Sequence, residues 1–238
     1  MTAGNHPSPT PRESIPIGRA AFLGTVVAGV GSIALLSRFA APVSRAVQSV
    51  ASAVPVVNQI VPTSGWRIYT VADTMPRFDP ATYTLRISGL VERPVTLAWR
   101  DFDALPPVTQ LSDFHCVTGW TVSHVTWQGV RPRTLVDLVR PLASARYVTF
   151  VSMEKPYVDQ LSLNQFLLPE VLLASRQDGA ALRREHGAPL RLVIPEMYGY
   201  KNVKWVSEIR FDAANQPGFW EQNGYDVNAW VGRSNGFG

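Results

Sequence analysis

The feature that most constrains this chain is Cys116, the single cysteine among its 238 residues, which lies in the run Asp113 to Trp120. One cysteine cannot form an internal disulfide, so the fold must depend on the burial of apolar side chains. The thiol itself can be inert packing, a nucleophile, or a thiolate ligand to a soft metal. Gly119 follows closely, and the backbone amides of a glycine-containing turn can polarise a thiolate.

The composition favours one main folded domain. Hydrophobic residues make up 46% of the chain, which is enough for one large core. The net charge is +4, but residues 1–61 carry four arginines against one glutamate, which leaves +1 for the rest. Without a basic stripe on the folded part, we expect no nucleic-acid partner.

The N-terminal part of the chain has a different composition from the rest. Residues 1–19 form a polar tail with four prolines, residues 20–37 are uncharged, and residues 38–63 read as a linker. As a helix, the uncharged run would extend about 27 Å, close to the roughly 30 Å hydrocarbon core of a bilayer. We therefore expect a transmembrane or signal-anchor helix over 20–37, with a buried core helix as the alternative.

The segment around this run resembles an export signal. Residues Gly18 to Gly24 look like a degenerate twin-arginine signal in which Gly18 replaces the first arginine. Arg38 follows the apolar run directly, and no small-residue cleavage site separates them. We expect an uncleaved anchor in the cytoplasmic membrane, with the globular domain on the extracytoplasmic side.

From residue 64 to residue 238 the pattern is that of a folded domain. Short strands are interleaved with short helices and many prolines, without regular βαβ spacing, which favours an α+β fold. The helices predicted from the pattern cover residues 99–105 and 134–140, and residues 161–168 read as a passage from strand to helix. The predicted strands cover residues 83–88, 111–116, 147–153, 191–194 and 203–211.

A second cluster of chemically informative residues lies about seventy residues after Cys116, in the runs 186–191 and 198–205. Its glycines permit close backbone approach, and Arg191, Lys201 and Lys204 offer donors to an anion such as a phosphate. A solvated basic surface is the alternative. The interleaved proline, tyrosine and tryptophan residues favour an anion-binding site instead.

Four ordered motifs together resemble a known family. They read H-C-V-T-G-W with W-Q-G-V at residues 115–130, H-G-A-P-L-R at 186–191, Y-G-Y-K-N-V-K-W at 198–205, and G-F-W-E with G-Y at 218–225. This set resembles the molybdopterin-dependent oxidoreductases of the sulfite oxidase superfamily, closest to the small bacterial catalytic subunits that reduce methionine sulfoxide in proteins. The resemblance runs from about Arg67 to Tyr225 and implies a sulfite-oxidase-type fold of mixed β-sheets with short helices.

The resemblance also implies a cofactor and residues to hold it. The cofactor is molybdenum-molybdopterin, with one molybdenum held by the dithiolene of the pterin and by the Cys116 thiolate, a soft donor. The family's phosphate-binding arginine falls on Arg191, and His186 falls on its pterin-binding histidine or asparagine. Further pterin contacts fall on Asn202, Val203 and Lys204, near Val151 or Ser152, and near Tyr69 and Thr70.

The implied reaction is a two-electron oxygen-atom transfer on a sulfoxide or related small oxo substrate. We assign His115 a catalytic role in contacting a bound anion or tuning the thiolate, with a simple loop histidine as the alternative. Sulfite-oxidising relatives place arginines soon after the cysteine, where this chain has Thr118, Gly119 and Trp120. No haem-attachment or iron–sulfur pattern occurs in the sequence, so we expect a membrane haem protein or a cytochrome as electron partner.

Two rival functions use the same residues. An exported cysteine transpeptidase would need a histidine base against an activated thiol, but its signature places glycine before the cysteine and arginine soon after. This chain has His115 before Cys116 and Val117 after it. A cofactor-free binding module on the same scaffold is the other rival, and the joint presence of Cys116, Arg191 and Lys204 argues against it.

Overall fold

The computed structural model describes residues 58–60 and 65–234. The predicted polar tail, the apolar run at 20–37 and nearly all of the linker lie outside the described residues. In the part of the chain that is described, no helix combines the length and the apolar character needed to cross a membrane.

The described residues contain twelve strands, three short α-helices and three 3₁₀ helices, the last at Arg184–His186, Gly199–Lys201 and Glu221–Asn223. The α-helices are α1 (Trp99–Asp103), α2 (Pro132–Val139) and α3 (Leu163–Phe166). The strands are β1 (Asn58–Ile60), β2 (Ile68–Thr70), β3 (Thr84–Gly89), β4 (Val95–Ala98), β5 (Val108–His115), β6 (Thr121–Val130), β7 (Tyr147–Ser152), β8 (Val158–Ser162), β9 (Leu172–Gln177), β10 (Ala180–Ala181), β11 (Arg191–Val193) and β12 (Val206–Asp212).

Local sequence explains where the helices begin and end. Helix α2 starts with Pro132, whose fixed φ suits the first turn, and it ends at Arg140 in a left-handed conformation. Helix α3 begins with a capping box, in which the Ser162 and Gln165 side chains each bond the other residue's backbone amide. These short helices connect consecutive strands.

One five-stranded sheet has the order β4-β3-β12-β7-β8. Strand β12 runs parallel to β3 and antiparallel to β7, so the sheet is mixed. Strand β3 alternates in burial, whereas β7 and β8 each bury three consecutive residues. Buried side chains of this sheet form the larger core together with side chains from α1, α2 and α3. Fully buried members of that core include Leu85, Ile87, Phe150, Ile209 and Phe211.

The second sheet has the order β10-β9-β6-β5, and β11 also pairs with β9. Strands β5 and β6 form a long antiparallel hairpin whose tip carries residues 116–120. A smaller core lies against this sheet and is rich in tryptophan: Trp66 and Trp127 are buried in it, with Phe114 and Trp120 packed against it. The separate ribbon of β1 and β2 completes the set.

The predicted α+β class with mixed sheets is confirmed, and the predicted strands and helices fall within a few residues of the observed ones. The pattern missed several strands, among them the ten-residue β6 and also β9, whose residues Leu172 to Gln177 pass from a buried apolar run into polar residues without alternation. The predicted domain at residues 64–238 contains the described range 65–234, and its boundaries stay a prediction.

Candidate active site

The tip of the β5–β6 hairpin carries Cys116 in a tight turn. The Gly119 amide donates to the Cys116 carbonyl at 3.0 Å, and the Cys116 amide donates to the Trp120 carbonyl at 2.9 Å. Gly119 has φ of +92°, the left-handed region that glycine adopts without strain. A three-residue hairpin loop that ends in a left-handed glycine has this form, so the sequence places the cysteine at a defined corner.

The thiol of Cys116 is partly buried and hydrogen-bonded within its own turn. Its Sγ lies 3.2 Å from the Thr118 hydroxyl. Burial raises the pKa of the Cys116 thiol, while contacts with Thr118, the charge of Arg67 and the side chain of Trp120 oppose part of that rise. A thiol with a raised pKa is a poor spontaneous nucleophile, but coordination to a metal ion removes the proton of a thiol outright.

The histidines near the turn do not form a catalytic pair with the cysteine. His115 ends strand β5, and its Nδ1 lies 3.0 Å from the Thr121 hydroxyl. His124 is exposed, at φ of +58°. Among the described residues, no hydrogen bond joins Cys116 to a histidine. The thiol–imidazole contact that a cysteine transpeptidase requires is therefore missing from this part of the chain.

Arg191 is a charged residue buried against aromatic rings of the smaller core. It is 2% exposed, and its guanidinium carbon lies 5.2 Å from the ring centre of Phe114 and 5.1 Å from that of Trp127. Nη1 donates to the His186 carbonyl at 3.1 Å. Burial lowers the pKa of Arg191 to about 9. No described carboxylate is bonded to this guanidinium, so its charge lacks the partner that a buried ion requires.

His186 lies beside Arg191 and is also buried. Its ring is 4.8 Å from the Trp66 ring, and Nε2 lies 3.3 Å from Nη2 of Arg183. Burial, followed by the charges of Arg191 and Arg183, lowers the pKa of His186 to about 4. The imidazole is therefore neutral at neutral pH and can accept or donate a hydrogen bond without adding charge.

Lys204 connects this region to the segment that carries Tyr69. Its Nζ donates to the Tyr69 carbonyl at 2.8 Å and to the Glu185 carbonyl at 3.4 Å, and it lies 4.0 Å from the centre of the Trp205 ring. Burial lowers the pKa of Lys204 to about 7, against the opposing charge of Glu154. A cation held this way is readily stabilised in its charged form by an added anion.

The close approach of backbone to Lys204 requires a glycine. Gly187 has φ of +108°, and a Cβ atom built there would lie 3.0 Å from the Cβ of Lys204. A side chain at position 187 would be strained by the backbone conformation and would press on the lysine. The H-G-A-P-L-R motif therefore combines two ligand-type residues with the glycine that lets Lys204 pack against them.

Tyr69 reaches the cysteine turn, whereas Thr70 does not. The Tyr69 hydroxyl lies 3.5 Å from the Thr118 hydroxyl, and its ring stacks against Trp120 at 6.5 Å. The buried Thr70 hydroxyl donates to the Ala72 carbonyl at 3.1 Å. Strand β2 thus brings one of its two predicted residues to Cys116, while the other holds the end of its own strand.

Ser152 hydrogen-bonds the backbone of Lys204, and Glu154 hydrogen-bonds Ser152. The buried Ser152 hydroxyl donates to the Lys204 carbonyl at 2.8 Å and accepts from the Glu154 amide at 2.9 Å. Glu154 accepts from the Val71 amide at 2.8 Å, and burial raises its pKa although Lys204 opposes the rise. Sequence reasoning missed Glu154; its only signal was an acidic residue immediately after the predicted strand at 147–153.

Four buried donors in this region have no hydrogen-bond partner among the described residues. They are Nε of Arg191, Nδ1 of His186 and the Nε1 atoms of Trp120 and Trp127. Buried donors are almost always satisfied, so unpaired ones next to an unpaired guanidinium indicate that a ligand completes the site. The donor set fits an anionic group such as a phosphate, and the Cys116 thiol fits a soft metal. The residues present therefore fit molybdenum-molybdopterin.

Asn202 and Val203 contribute backbone structure to the same region. Asn202 Oδ1 accepts from the Ile194 amide at 2.7 Å, and Nδ2 donates to the carbonyls of Met197 and Tyr198 at 3.4 and 3.3 Å. Val203 is fully buried, and its carbonyl accepts from the Leu192 amide at 2.8 Å. Both side chains are engaged within the protein, so the predicted contact of this loop with a cofactor stays a prediction that concerns its backbone.

Replacing Asn202 by alanine should destabilise the protein even without a cofactor. The change leaves buried backbone groups of residues 194–198 without partners, which costs about 2–3 kcal/mol of unfolding free energy. Urea unfolding of the cofactor-free protein measures this loss. Asn215→Ala, at an exposed asparagine, is the control and should change the midpoint little. An Asn202→Ala midpoint equal to the native one would contradict the structural role.

Lys201 does not belong to the anion-binding set, and the prediction for it is wrong. Its Nζ is buried and donates to Asp159 Oδ1 at 2.6 Å, to the Gln160 carbonyl at 2.8 Å and to Glu221. The carboxylates already neutralise the ammonium group and use its donors. Lys201 therefore ties β8 to the C-terminal segment.

Replacing Lys201 by methionine should destabilise the fold by about 3–5 kcal/mol, because it leaves two buried carboxylates without a cation. Urea unfolding measures the change, and Lys155→Met, at an exposed lysine, serves as the control. If Lys201→Met unfolded at the native urea concentration, the buried triad would not be a stabilising unit.

Comparison with known proteins agrees with this site. Residues 72–220 match the family model described as the oxidoreductase molybdopterin binding domain. The uncharacterized oxidoreductase YuiH of Bacillus subtilis is 38% identical over 171 residues, covering 71% of this chain and 85% of that protein. The protein-methionine-sulfoxide reductase catalytic subunit MsrP of Campylobacter jejuni is 30% identical over 160 residues, covering 60% of this chain and 54% of that protein.

Two more distant similarities agree. Sulfite oxidase of Arabidopsis thaliana is 31% identical over 180 residues, covering 61% of this chain and 46% of that enzyme. The crystal structure of the sulfane dehydrogenase SoxCD from Paracoccus pantotrophus superposes with a TM-score of 0.61 at 20% identity, covering 71% of this chain and 47% of that one, and shows the shared fold. This chain thus spans about half the length of the sulfoxide reductase and sulfite oxidase relatives.

The buried unpaired guanidinium, the thiol at the hairpin tip and the match over residues 72–220 lead to the same assignment. The cysteine transpeptidase and the cofactor-free module are set aside by it. This chain is an enzyme of the molybdopterin-binding oxidoreductase family, within the sulfite oxidase superfamily, and its cofactor is molybdenum-molybdopterin.

Proposed function

We propose that this enzyme reduces a sulfoxide or a related small oxo compound, with Cys116 as the protein ligand to molybdenum. The observation that carries the proposal is the proximity of a soft donor and a buried, unpaired cation. Phe114, two residues before Cys116, contacts the Arg191 guanidinium at 5.2 Å from its ring centre. A soft metal donor and an anion-binding cation on either side of Phe114 suit a cofactor that has a metal-binding dithiolene and a phosphate in one molecule.

Different residues of the site would hold different parts of the cofactor. Arg191 and Lys204 would bind its phosphate, and neutral His186 would hydrogen-bond the pterin or the phosphate through Nδ1. Tyr69 would link Lys204 to the cysteine turn, because its carbonyl accepts a hydrogen bond from Lys204 and its hydroxyl lies near the Thr118 hydroxyl. Ser152 holds the Lys204 backbone, and Asn202 and Val203 hold the loop before it. When bound, molybdenum-molybdopterin supplies the exchange of two electrons and an oxygen atom.

The proposed reaction breaks the sulfur–oxygen bond of the substrate. Sulfur is reduced by two electrons from a protein partner, and the oxygen leaves as water with two protons. Tyr225 is a proton-bearing group of this region: burial, with smaller contributions from Cys116 and Tyr69, raises its pKa to about 12, so its phenol stays protonated at neutral pH.

The side chains around Cys116 favour a neutral, dipolar substrate over sulfite. Hydroxyl and aromatic groups of Tyr69, Thr118 and Trp120 surround the turn. Arg67, whose charge opposes the rise of the thiol pKa, is exposed. A doubly charged oxyanion is better held by several buried donors. The relatives named above include one protein for each alternative, a methionine-sulfoxide reductase and a sulfite oxidase.

A comparison of kcat/KM for two substrates tests the proposal. Enzyme prepared from its native membrane, with its cofactor, is assayed for reduction of methionine sulfoxide by a reduced viologen dye and for oxidation of sulfite by ferricyanide. We expect kcat/KM for the sulfoxide to exceed that for sulfite by at least about 100-fold, a difference of roughly 2.7 kcal/mol in transition-state binding. A preference for sulfite would contradict the proposal.

We also propose that residues 20–37 anchor the enzyme in the cytoplasmic membrane with the catalytic domain outside. A single cysteine leaves no sequence pattern for a second redox centre, which supports electron delivery by a membrane haem protein or a cytochrome. Protease treatment of intact spheroplasts should degrade the domain from outside. Protection of the domain until lysis would contradict the orientation, and direct electron exchange with quinone at the turnover rate would contradict the need for a haem partner.

A further inference from the structure

The turn that presents Cys116 also presents a hydroxyl group to its sulfur. Thr118 Oγ1 lies 3.2 Å from Cys116 Sγ, a short distance for a hydrogen bond to sulfur. The contact is local, since both residues belong to the loop closed by the hydrogen bond from the Gly119 amide to the Cys116 carbonyl. The threonine side chain has few χ1 rotamers, so the backbone of the turn largely fixes where the hydroxyl lies.

The direction of this hydrogen bond follows from the chemistry of the sulfur. A thiolate that binds a metal has no proton and can only accept, so Thr118 must donate. A hydroxyl has a single proton and two acceptor lone pairs. The Tyr69 phenol lies 3.5 Å from Thr118 Oγ1, where it can donate to a lone pair and favour the rotamer whose proton points to sulfur.

We propose that Thr118 is a positioning residue that donates a hydrogen bond to the Cys116 sulfur and so tunes the reduction potential of the molybdenum. The inference rests on the proposed ligation of molybdenum by Cys116. A hydrogen bond withdraws electron density from a thiolate and weakens its donation to the metal. Weaker donation stabilises the reduced metal relative to the oxidised one, which raises the reduction potential.

The test compares Thr118→Val with Thr118→Ser in the cofactor-loaded enzyme. Valine keeps the shape of threonine without the hydroxyl, whereas serine keeps the hydroxyl. The measurements are the energy of the thiolate-to-molybdenum charge-transfer band, normalised to molybdenum content, and the midpoint potential from a redox titration. Thr118→Val should shift the band to lower energy and lower the midpoint potential. Thr118→Ser, which keeps the hydroxyl, should leave both close to the native values.

Thr109→Val is the matched control, because Thr109 is an exposed residue of the same hairpin. It should leave the band and the potential unchanged. A merely structural role for Thr118 would change stability or molybdenum content without moving the band of the molybdenum that remains, and that result would overturn the proposal. Thr118→Ala, measured in the same way, replaces the valine variant if valine prevents loading.

The outcome for Thr118 is separable from the ligand assignment itself. A native enzyme that has the charge-transfer band, together with a Thr118→Val variant whose band and potential are unmoved, overturns the role of Thr118 alone. A native enzyme without any protein thiolate-to-molybdenum band overturns the ligation by Cys116, and the Thr118 proposal with it.

Discussion

Replacing Cys116 by serine should abolish sulfoxide reduction, with a loss of at least about 100-fold in kcat, and should lower the molybdenum content. The reason is the change of donor: a serine hydroxyl is a hard, protonated oxygen at neutral pH, whereas a thiolate is a soft anionic donor suited to this metal. The turn itself should survive, because its hydrogen bonds join the backbones of Cys116, Gly119 and Trp120. Molybdenum per chain and dye-linked turnover measure the two effects.

Thr109→Ser provides a control for this change on the same hairpin, at an exposed position, and it should load and turn over like the native enzyme. Native turnover of Cys116→Ser at equal molybdenum content would show that the sulfur is not needed for the reaction.

Replacing Arg191 by methionine should remove the cofactor without unfolding the protein. Methionine fills much of the space between Phe114 and Trp127 but brings no charge or donors. In the cofactor-free protein the guanidinium is buried without a carboxylate, and replacing such a charge by an apolar side chain is often neutral or stabilising. We therefore expect at least about a tenfold loss of bound pterin and molybdenum, with an unfolding free energy of the cofactor-free form that is equal or higher.

Arg100→Met is the control for this variant, because the Arg100 side chain is 88% exposed and pairs with Asp101 at the surface. It should change neither loading nor stability beyond a few tenths of a kcal/mol. Full cofactor occupancy in Arg191→Met would contradict the anion-binding role. Global unfolding of the cofactor-free variant would show instead that the guanidinium is a structural part of the smaller core.

The sequence was most informative where chemistry and local structure coincide. Gly119 predicts a turn next to Cys116, and the structure places a left-handed glycine there. Arg191 is the residue that the family resemblance assigns to phosphate binding, and its burial without a carboxylate partner agrees with that assignment. The roles of the individual residues in holding the cofactor remain predictions that the variants above test.

Other features depend on contacts between residues far apart in the chain, which no local pattern reveals. Lys201 reads as an anion donor in sequence, but its partners Asp159 and Glu221 lie 42 and 20 residues away. The same applies to Lys204 and the Tyr69 carbonyl, which are separated by 135 residues. Charged residues inside a fold take their roles from such partners, so a basic motif alone does not separate a ligand-binding lysine from a structural one.

X-ray absorption at the molybdenum edge of the cofactor-loaded enzyme tests the central claim most directly. The account predicts about one molybdenum per chain, with a protein sulfur in addition to the two dithiolene sulfurs, and loss of that additional sulfur in Cys116→Ser. An unchanged sulfur coordination number in Cys116→Ser, at equal molybdenum content, would contradict it.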